Sequence, residues 1–403
     1  KLEMDQLHEY DTFHDKGIGT TPGEEFKKIR VHLVYACKHD GRHKARLCAN
    51  GNLTEIPVNS VYSGVVSLKS LRTVIFLAEL NGLKTWATDI GNAYLEAETS
   101  EKVFIIAGPK FGELEGHTLV IFKALYGLRS SGLRWSEKFS LCLRDMGFFP
   151  SLADPCIWMR RVDNHYEYIA VYVDDLAIAS KCPAGIIRAL TEDYKFKLKG
   201  TGLIEFHLGC SFFRDEEGVS CFAPRKYIDK LIASYERMFG SKPKTNKITS
   251  PLVKGDHPEI DDSAFLEEEG IQQYQSLIGQ LQWAILLGRF DIAVAITMTM
   301  SASMMSAFRS APRKGHLNRV KRICGYLSKM RHSAIRIRTE EPDYSDIPRT
   351  EYDWEFSVYR GAKEELQEDA PEPLGKHHGL LDTNGWKRFH SLAKRAKKKM
   401  LCM

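Results

Sequence analysis

Tyr168-Ile-Ala-Val-Tyr172-Val173-Asp174-Asp175-Leu176-Ala-Ile-Ala179 is the stretch that decides the fold. The apolar runs on either side read as two buried strands, so the two acids fall at the tight turn of a hairpin. Adjacent carboxylates between apolar strands repel one another, and a cation is the commonest thing that makes such a pairing tolerable. The competing reading is a solvated Asp-Asp turn, since Asp favours turns for backbone reasons of its own. A second stretch, Leu83-Lys-Thr-Trp-Ala-Thr-Asp89-Ile-Gly-Asn-Ala-Tyr94, shifts the balance. It leaves a helix, turns at Asn81-Gly82 and runs as a short strand to another acid. If the two strands are neighbours, Asp89 faces Asp174 across the sheet. Three carboxylates so placed are hard oxygen ligands suited to two Mg²⁺ ions roughly 3.5–4 Å apart.

Bulk properties limit the rest. A chain of 403 residues with 43% hydrophobic content buries more than one core, so two or three subdomains are expected. No run of 18 apolar residues and no signal-peptide pattern occurs, so neither a membrane span nor secretion is indicated. The nine cysteines are scattered without a C-x-x-C pair, the pattern of reduced thiols and not of a zinc site or a disulfide frame. The net charge of +5 misleads if taken whole. Residues 376–403 hold eight of the 57 Lys and Arg and one of the 52 acids, leaving 49 basic against 51 acidic groups in residues 1–375. Contact with nucleic acid must therefore rest on local clusters.

The chain opens at Lys1 without a methionine, which suggests a piece of something longer, and residues 1–28 are polar and mixed. Ile29 to Cys37 alternates as a strand, Lys38 to His43 turns, and Lys44-Ala-Arg46-Leu runs back with Lys44 and Arg46 on one face. The stretch Ser63 to Arg72 leads into a helix with a stripe of Leu71, Val74, Ile75 and Ala78; Arg72 reaches either substrate or the surface. Strands follow at 102–106 and 118–122. A further helix puts Trp135, Phe139, Cys142 and Met146 on one face, stops at Gly147 and reads as structural. Beyond the acids come an amphipathic helix at 184–198, a hairpin turning at Glu217-Gly218, a basic helix at 224–240 and a linker at 241–262. Helical stretches at 271–288, 290–308 and 313–330 and an acidic, Pro-rich segment from 339 to 375 complete the series.

An Asp with an aromatic five residues on, followed by Tyr-Val-Asp-Asp in a hairpin, resembles reverse transcriptases of copia-type retrotransposons. Leu125-Tyr126-Gly127-Leu128 with Arg129 and Trp135, the Gly64-to-Arg72 wording and Gly288-Arg289-Phe-Asp291-Ile-Ala are similar to that family too. Ser130 departs from it, since Gln is the commoner residue there. The resemblance covers residues 8–375 and implies an α+β right-hand polymerase with fingers, an antiparallel-sheet palm, a helical thumb and a truncated connector. It divides the chain into fingers at 1–82 with part of 98–135, a palm at 83–223, a thumb-like region at 224–331, an acidic connector at 332–375 and a basic tail at 376–403. A ribonuclease H domain would begin near residue 376, and its acids are absent, so no strand-degrading activity is expected.

By the same resemblance Asp89, Asp174 and Asp175 are the catalytic metal ligands for two Mg²⁺, with Mn²⁺ as a substitute. Lys44, Arg46, Tyr94, Tyr126, Gly127 and Ser130 bind the incoming nucleotide, Tyr94 as a steric gate against a ribose 2′-OH. Phe206, His207, Leu208 and Gly209 form the primer grip, although a buried histidine such as His207 is more often a satisfied core residue. The implied reaction is RNA-directed DNA synthesis. The implied partners are a primed RNA or DNA template, dNTPs and other retrotransposon polyprotein parts, with no membrane. The implied location is a cytoplasmic virus-like particle or the nucleus. Two other classes stay open: an inactive remnant that binds nucleic acid without turnover, and an unrelated metal-binding or interaction domain.

Overall fold

The computed structural model describes residues 2–37, 43–54, 60–296 and 305–340. In chain order the first elements are α1 (Leu2–Glu9), β1 (Phe13–Ile18), β2 (Lys27–Lys28), β3 (Val31–Cys37), β4 (His43–Ala49), α2 (Leu68–Leu80), β5 (Lys84–Ile90) and α3 (Ala93–Glu96). There follow β6 (Val103–Ile106), β7 (His117–Ile121), α4 (Ser131–Asp145), β8 (Phe149–Pro150), β9 (Ile157–Val162), β10 (His165–Tyr172), β11 (Asp175–Ser180) and α5 (Pro183–Arg188). The remainder is β12 (Leu198–Leu203), β13 (Phe206–His207), β14 (Cys210–Arg214), β15 (Ser220–Ala223), α6 (Arg225–Phe239), α7 (Glu268–Leu286), α8 (Ala293–Ile296), α9 (Lys314–Lys329) and β16 (Ile335–Ile337).

Six strands form the central sheet in the order β12-β5-β11-β10-β9-β8, each antiparallel to its neighbours. Alternation along β10 and β11 gives it two apolar faces. Ile169, Leu176 and Ile178 meet Trp135, Phe139 and Leu143 of α4 and Ile186 of α5 on one face. Tyr168, Ala170, Ala177 and Ala179 lie under Leu71, Val74, Ile75 and Ala78 of α2 on the other. Covering on both faces explains why the strands around the acids read as unbroken apolar runs. The α2 helix begins where the Ser67 side chain accepts from the Ser70 N–H, and it ends at Asn81 before Gly82, whose φ is +62°. It therefore packs as a layer of this sheet, although the sequence division puts it with residues 1–82.

Three further units surround the sheet. Strands β1, β7, β6 and β2 make a second sheet whose core includes Leu7 of α1, Ile29, Leu47, Ile105, Leu119 and Leu125. The helices α6, α7 and α9 close around Leu231, Tyr274, Leu281, Val320 and Ile323. Between this bundle and the central sheet lies the small sheet β13-β14-β15-β16, with Cys210 and Phe222 packed on Leu287. Arg72 of α2 donates to the carbonyl of Leu286 at the end of α7, with its guanidinium 5.5 Å from the Phe222 ring and 5.2 Å from the Phe290 ring. A carbonyl left over at a helix terminus thus receives a charged donor, and Arg72 is a strut between units. Nearby, buried Arg289 donates to both oxygens of Asp291 at 2.9 and 2.6 Å. That pair accounts physically for the Arg289-Phe-Asp291 wording.

Several expectations need correction. The polar start contains a helix and a strand, α1 and β1. The helix expected at 184–198 stops at Asp193, and Lys195 at φ +60° turns the chain out of helical conformation. In place of one helix at 290–308 there are a 3₁₀ turn at Phe290–Ile292 and the four-residue α8, and residues 297–304 lie outside the described residues. Ile335–Ile337 is not connector but a strand paired to β15. The turn at 38–42, the rest of the acidic connector and the basic tail lie outside the described residues. Every described cysteine is a free thiol, and no described helix is long and apolar enough to cross a membrane.

Two glycines set how the β3–β4 hairpin meets the loop before α4. A Cβ on Gly127, at φ +91°, would stand 2.2 Å from the Ala49 carbonyl oxygen, and one on Gly51 2.1 Å from the Gly127 carbonyl oxygen. The Ala49 N–H also donates to the Tyr126 carbonyl at 2.6 Å. Gly82 shares the positive φ but would meet nothing within 4 Å. Gly82→Ala is expected to cost about 1 kcal/mol from backbone conformation alone. Gly127→Ala is expected to cost severalfold more, read from urea midpoints, and equal losses would show that the two backbones do not make this contact.

Candidate active site

The β10–β11 hairpin turns through Val173 and Asp174, with Tyr172 opposite Asp175. Val173 has φ +59°, a conformation that is rare for a β-branched residue and costs about 1–3 kcal/mol. It persists only if its surroundings hold it, and both carbonyls of the turn are held. The Trp135 indole N–H donates to the Val173 carbonyl at 2.8 Å, and the Ile90 N–H donates to the Asp174 carbonyl at 2.9 Å.

Register then places the acids. Lys199 of β12, Asp89 of β5, Asp175 of β11 and Tyr172 of β10 are successive cross-strand partners, so they share one rung and one face. Asp89 therefore lies opposite Asp175 and not Asp174 as expected, because Asp174 occupies the turn and β11 begins one residue later. Directly opposed side chains have Cβ atoms about 4.5–5.5 Å apart. The Asp175 carboxyl is raised to about 6, by burial first and then by the charges of Asp174 and Asp89. Among the described residues no three His, Cys, Asp or Glu side chains converge closely enough to hold an ion as they stand. The donors are nonetheless all carboxylate oxygens, and their crowded charge is what a hard divalent cation relieves.

Beside this corner stands an aromatic and basic cluster. Tyr94, in the short α3, has its ring 5.1 Å from that of Tyr126, and the Arg46 guanidinium lies 4.9 Å above the Tyr126 ring. The Tyr94 phenol is pushed up by burial and by the charge of Asp174, while Arg46 opposes the rise. Burial pushes Tyr126 up to about 12. Arg46 keeps a buried Nε with no hydrogen-bond partner. Lys44 follows the same alternation along β4. Arg46, Tyr94 and Tyr126 are thus brought together next to Asp174. Gly127 is used up by the contact with Ala49. Ser130 is 4% exposed, and its N–H and hydroxyl donate to Glu101 at 2.9 and 2.7 Å, so as it stands it offers nothing to a nucleotide.

Phe206 to Gly209 form the β13–β14 hairpin, with Leu208 at φ +44° and Gly209 at φ +87° as its two-residue turn. The Phe206 ring is exposed, with Lys226 Nζ 4.3 Å from its centre. Burial brings the His207 imidazole down to about 4, so it is neutral at pH 7, and its Nε2 has no partner. It is a buried histidine but not a fully satisfied one. Tyr172, Phe206, Leu208, Lys226, Lys230 and Trp283 line one cleft of about 310 Å³, which runs from this hairpin to Tyr172, the cross-strand partner of Asp175. Two contributors escape a reading by motif. Lys199 shares the rung of Asp89, which only the register reveals, and the packing stripe of α4 hides the polar end of Trp135.

A family model described as reverse transcriptase (RNA-dependent DNA polymerase) matches residues 20–250. The chain is 27% identical over 345 residues to the retrovirus-related Pol polyprotein from transposon TNT 1-94 of Nicotiana tabacum, covering 81% of this chain and 24% of that one. It is 27% identical over 297 residues to the putative transposon Ty5-1 protein of Saccharomyces cerevisiae, covering 73% of this chain and 88% of the other. Against the retrovirus-related Pol polyprotein from transposon RE1 of Arabidopsis thaliana it is 26% identical over 292 residues, 71% of this chain and 19% of that one. The chain therefore spans a quarter or less of the two plant polyproteins. A solved foamy viral protease-reverse transcriptase in complex with double-stranded DNA is similar at TM-score 0.38 and 13% identity, covering 82% of this chain and 48% of that one.

The raised carboxyl has a measurable consequence. Asp175 is protonated in both folded and unfolded chains well below its ordinary value of 3.8, and its cost to folding grows as the pH rises from there to its folded value of about 6 and is fully present above it. Asp175→Asn is therefore expected to raise the stability of the metal-free protein at pH 7.5 and to raise it far less at pH 4. Solvent screening at this part-exposed turn limits the gain to about 1 kcal/mol. Thermal melts at the two pH values read it, and a gain of equal size at both would remove the like-charge explanation.

Proposed function

The chain belongs to the reverse transcriptase (RNA-dependent DNA polymerase) family, and we propose that it extends a primer on an RNA or DNA template by two-metal nucleotidyl transfer. The observation that carries this reading is the rung that sets Asp89 opposite Asp175, with Asp174 in the adjoining turn. In this reading the primer 3′-hydroxyl attacks the α-phosphate of a dNTP and pyrophosphate leaves. Asp89, Asp174 and Asp175 would hold two Mg²⁺, or Mn²⁺ in their place. Such ions, when bound, lower the pKa of the attacking hydroxyl and stabilise the leaving oxygen.

The chain's own side chains supply the rest. Arg46, with its unpartnered Nε, and Lys44 on the same strand meet the charge of the triphosphate. In this reading Tyr94, with its ring against that of Tyr126, would deny space to a ribose 2′-OH. Phe206 to Gly209 hold the primer end across the cleft from Tyr172, and the basic residues of α6 and α9 track the duplex through its phosphates without reading sequence. The second sheet with the β3–β4 hairpin acts as fingers, the central sheet as palm and the bundle α6–α9 as thumb. Other parts of a longer polyprotein are the natural partners, inside a cytoplasmic virus-like particle.

Asp174→Asn is expected to lower Mg²⁺-dependent extension of an oligo(dT) primer on poly(rA) by about 100-fold or more. Normal extension by that variant would refute the metal assignment. Tyr94→Ala is expected to keep deoxynucleotide incorporation while its preference over ribonucleotides narrows by about tenfold or more. Competition assays with each nucleotide pair measure this, and an unchanged preference would return Tyr94 to a packing role.

A further inference from the structure

The acid-bearing turn has a strained point that packing covers only in part. Val173 is β-branched at φ +59° and half-buried against the core on the α4 face, and the turn there borders a solvent-open cleft of about 360 Å³ whose walls include Val171, Val173 and Trp135 alongside Ser63, Ser136 and Asp154. On the cleft side solvent, not close-packed protein, faces the strained backbone, so packing alone opposes its relaxation less than in a core. Two hydrogen bonds oppose that relaxation. One comes from the backbone of β5, at Ile90, and is part of the sheet. The other comes from the Trp135 indole, whose ring is 2% exposed and is fixed by stacking on Phe139 at 5.2 Å and by an edge contact with Phe196 at 5.7 Å.

We propose that Trp135 is a positioning residue, whose indole N–H holds the Val173 carbonyl and thereby the angle at which Asp174 and Asp175 leave the sheet. This rests on the reading of those acids as metal ligands. The indole is one of the few side-chain donors that combine a large apolar body with a single N–H and no acceptor, so it can be buried among phenylalanines and still deliver one hydrogen bond. Trp135 also stands one helical turn inside α4, whose start is tied at two places: Ser131 Oγ donates to the Leu125 carbonyl at 2.7 Å in the loop before it, and Ser130, just ahead of the helix, donates to Glu101 in the turn before β6. The same short helix is thus anchored at the nucleotide side by its first turn and at the acid turn by its second.

The test is Trp135→Phe, which retains the ring packing and removes the donor. The expected result is a kcat lower by about tenfold or more, a Mg²⁺ half-saturation raised severalfold and a dNTP KM within about twofold of wild type. The Tm is expected to shift by only a few degrees. A residue that only packed would leave the Mg²⁺ dependence unmoved, so wild-type kcat and Mg²⁺ dependence in this variant would overturn the proposal. Should the variant not fold, ¹⁵N-tryptophan-labelled wild-type protein answers alone, with the Trp135 indole assigned from its contacts with the Phe139 and Phe196 rings. Its N–H is expected to exchange with solvent far more slowly than that of Trp283, which is 47% exposed, and to shift on addition of Mg²⁺. Exchange as fast as that of Trp283, or no shift in a protein that does bind Mg²⁺, would overturn the tether. If wild-type protein neither extends a primer nor binds Mg²⁺, the functional reading fails, and the slow exchange still reports on the hydrogen bond by itself.

Discussion

Cross-strand register between β5 and β11 is the constraint on which the rest depends. A shift of one residue would turn Asp89 to the opposite face and bury it against Trp135 and Phe139, where a lone carboxylate is not sustainable. The register is fixed because both faces of the sheet are covered. Leu176 and Ile178 must meet α4, and Ala177 and Ala179 must leave room for α2. Apolar packing over the length of two strands thus decides where like charges gather at their ends. Those charges work against folding at neutral pH, and the hydrophobic cores on both faces carry that load.

The turn concentrates the same conflict. A strained Val173 and crowded acids would each favour rearrangement, yet the peptide is held from the sheet on one side and from α4 on the other. Functional sites commonly store such local strain where the surrounding structure over-determines it. Here the over-determination consists of two named donors, so the strain has an identifiable restraint.

Much of this was legible in the residues. Tyr172 to Asp175 announced a hairpin, Asn81-Gly82 ended a helix before a strand, and the stripe from Trp135 to Met146 gave the α4 face, because period and turn chemistry are local properties. Register is not. The pairing of Asp89 with Asp175 instead of Asp174, and the place of Lys199 on the same rung, emerge only when strands far apart in sequence are laid side by side. Gly127 was expected to meet the incoming nucleotide, but what it faces is the Ala49 carbonyl. Polar starts such as residues 2–18 hide a helix and a strand because one partly covered element needs few apolar residues. The strand Ile335–Ile337 was hidden because three residues carry too little pattern to stand out from a connector.

That last strand changes how the helical bundle is attached. Because β16 lies next to β15, the chain enters the bundle and leaves it from neighbouring positions in one small sheet, and Arg72 braces the end of α7 from a third direction. The bundle is therefore an insertion on paired stalks and not a lobe on a single tether. Paired stalks resist torsion and permit flexing about the line that joins them. Any movement of the bundle would accordingly be a rocking about that one line, beside the cleft below Tyr172.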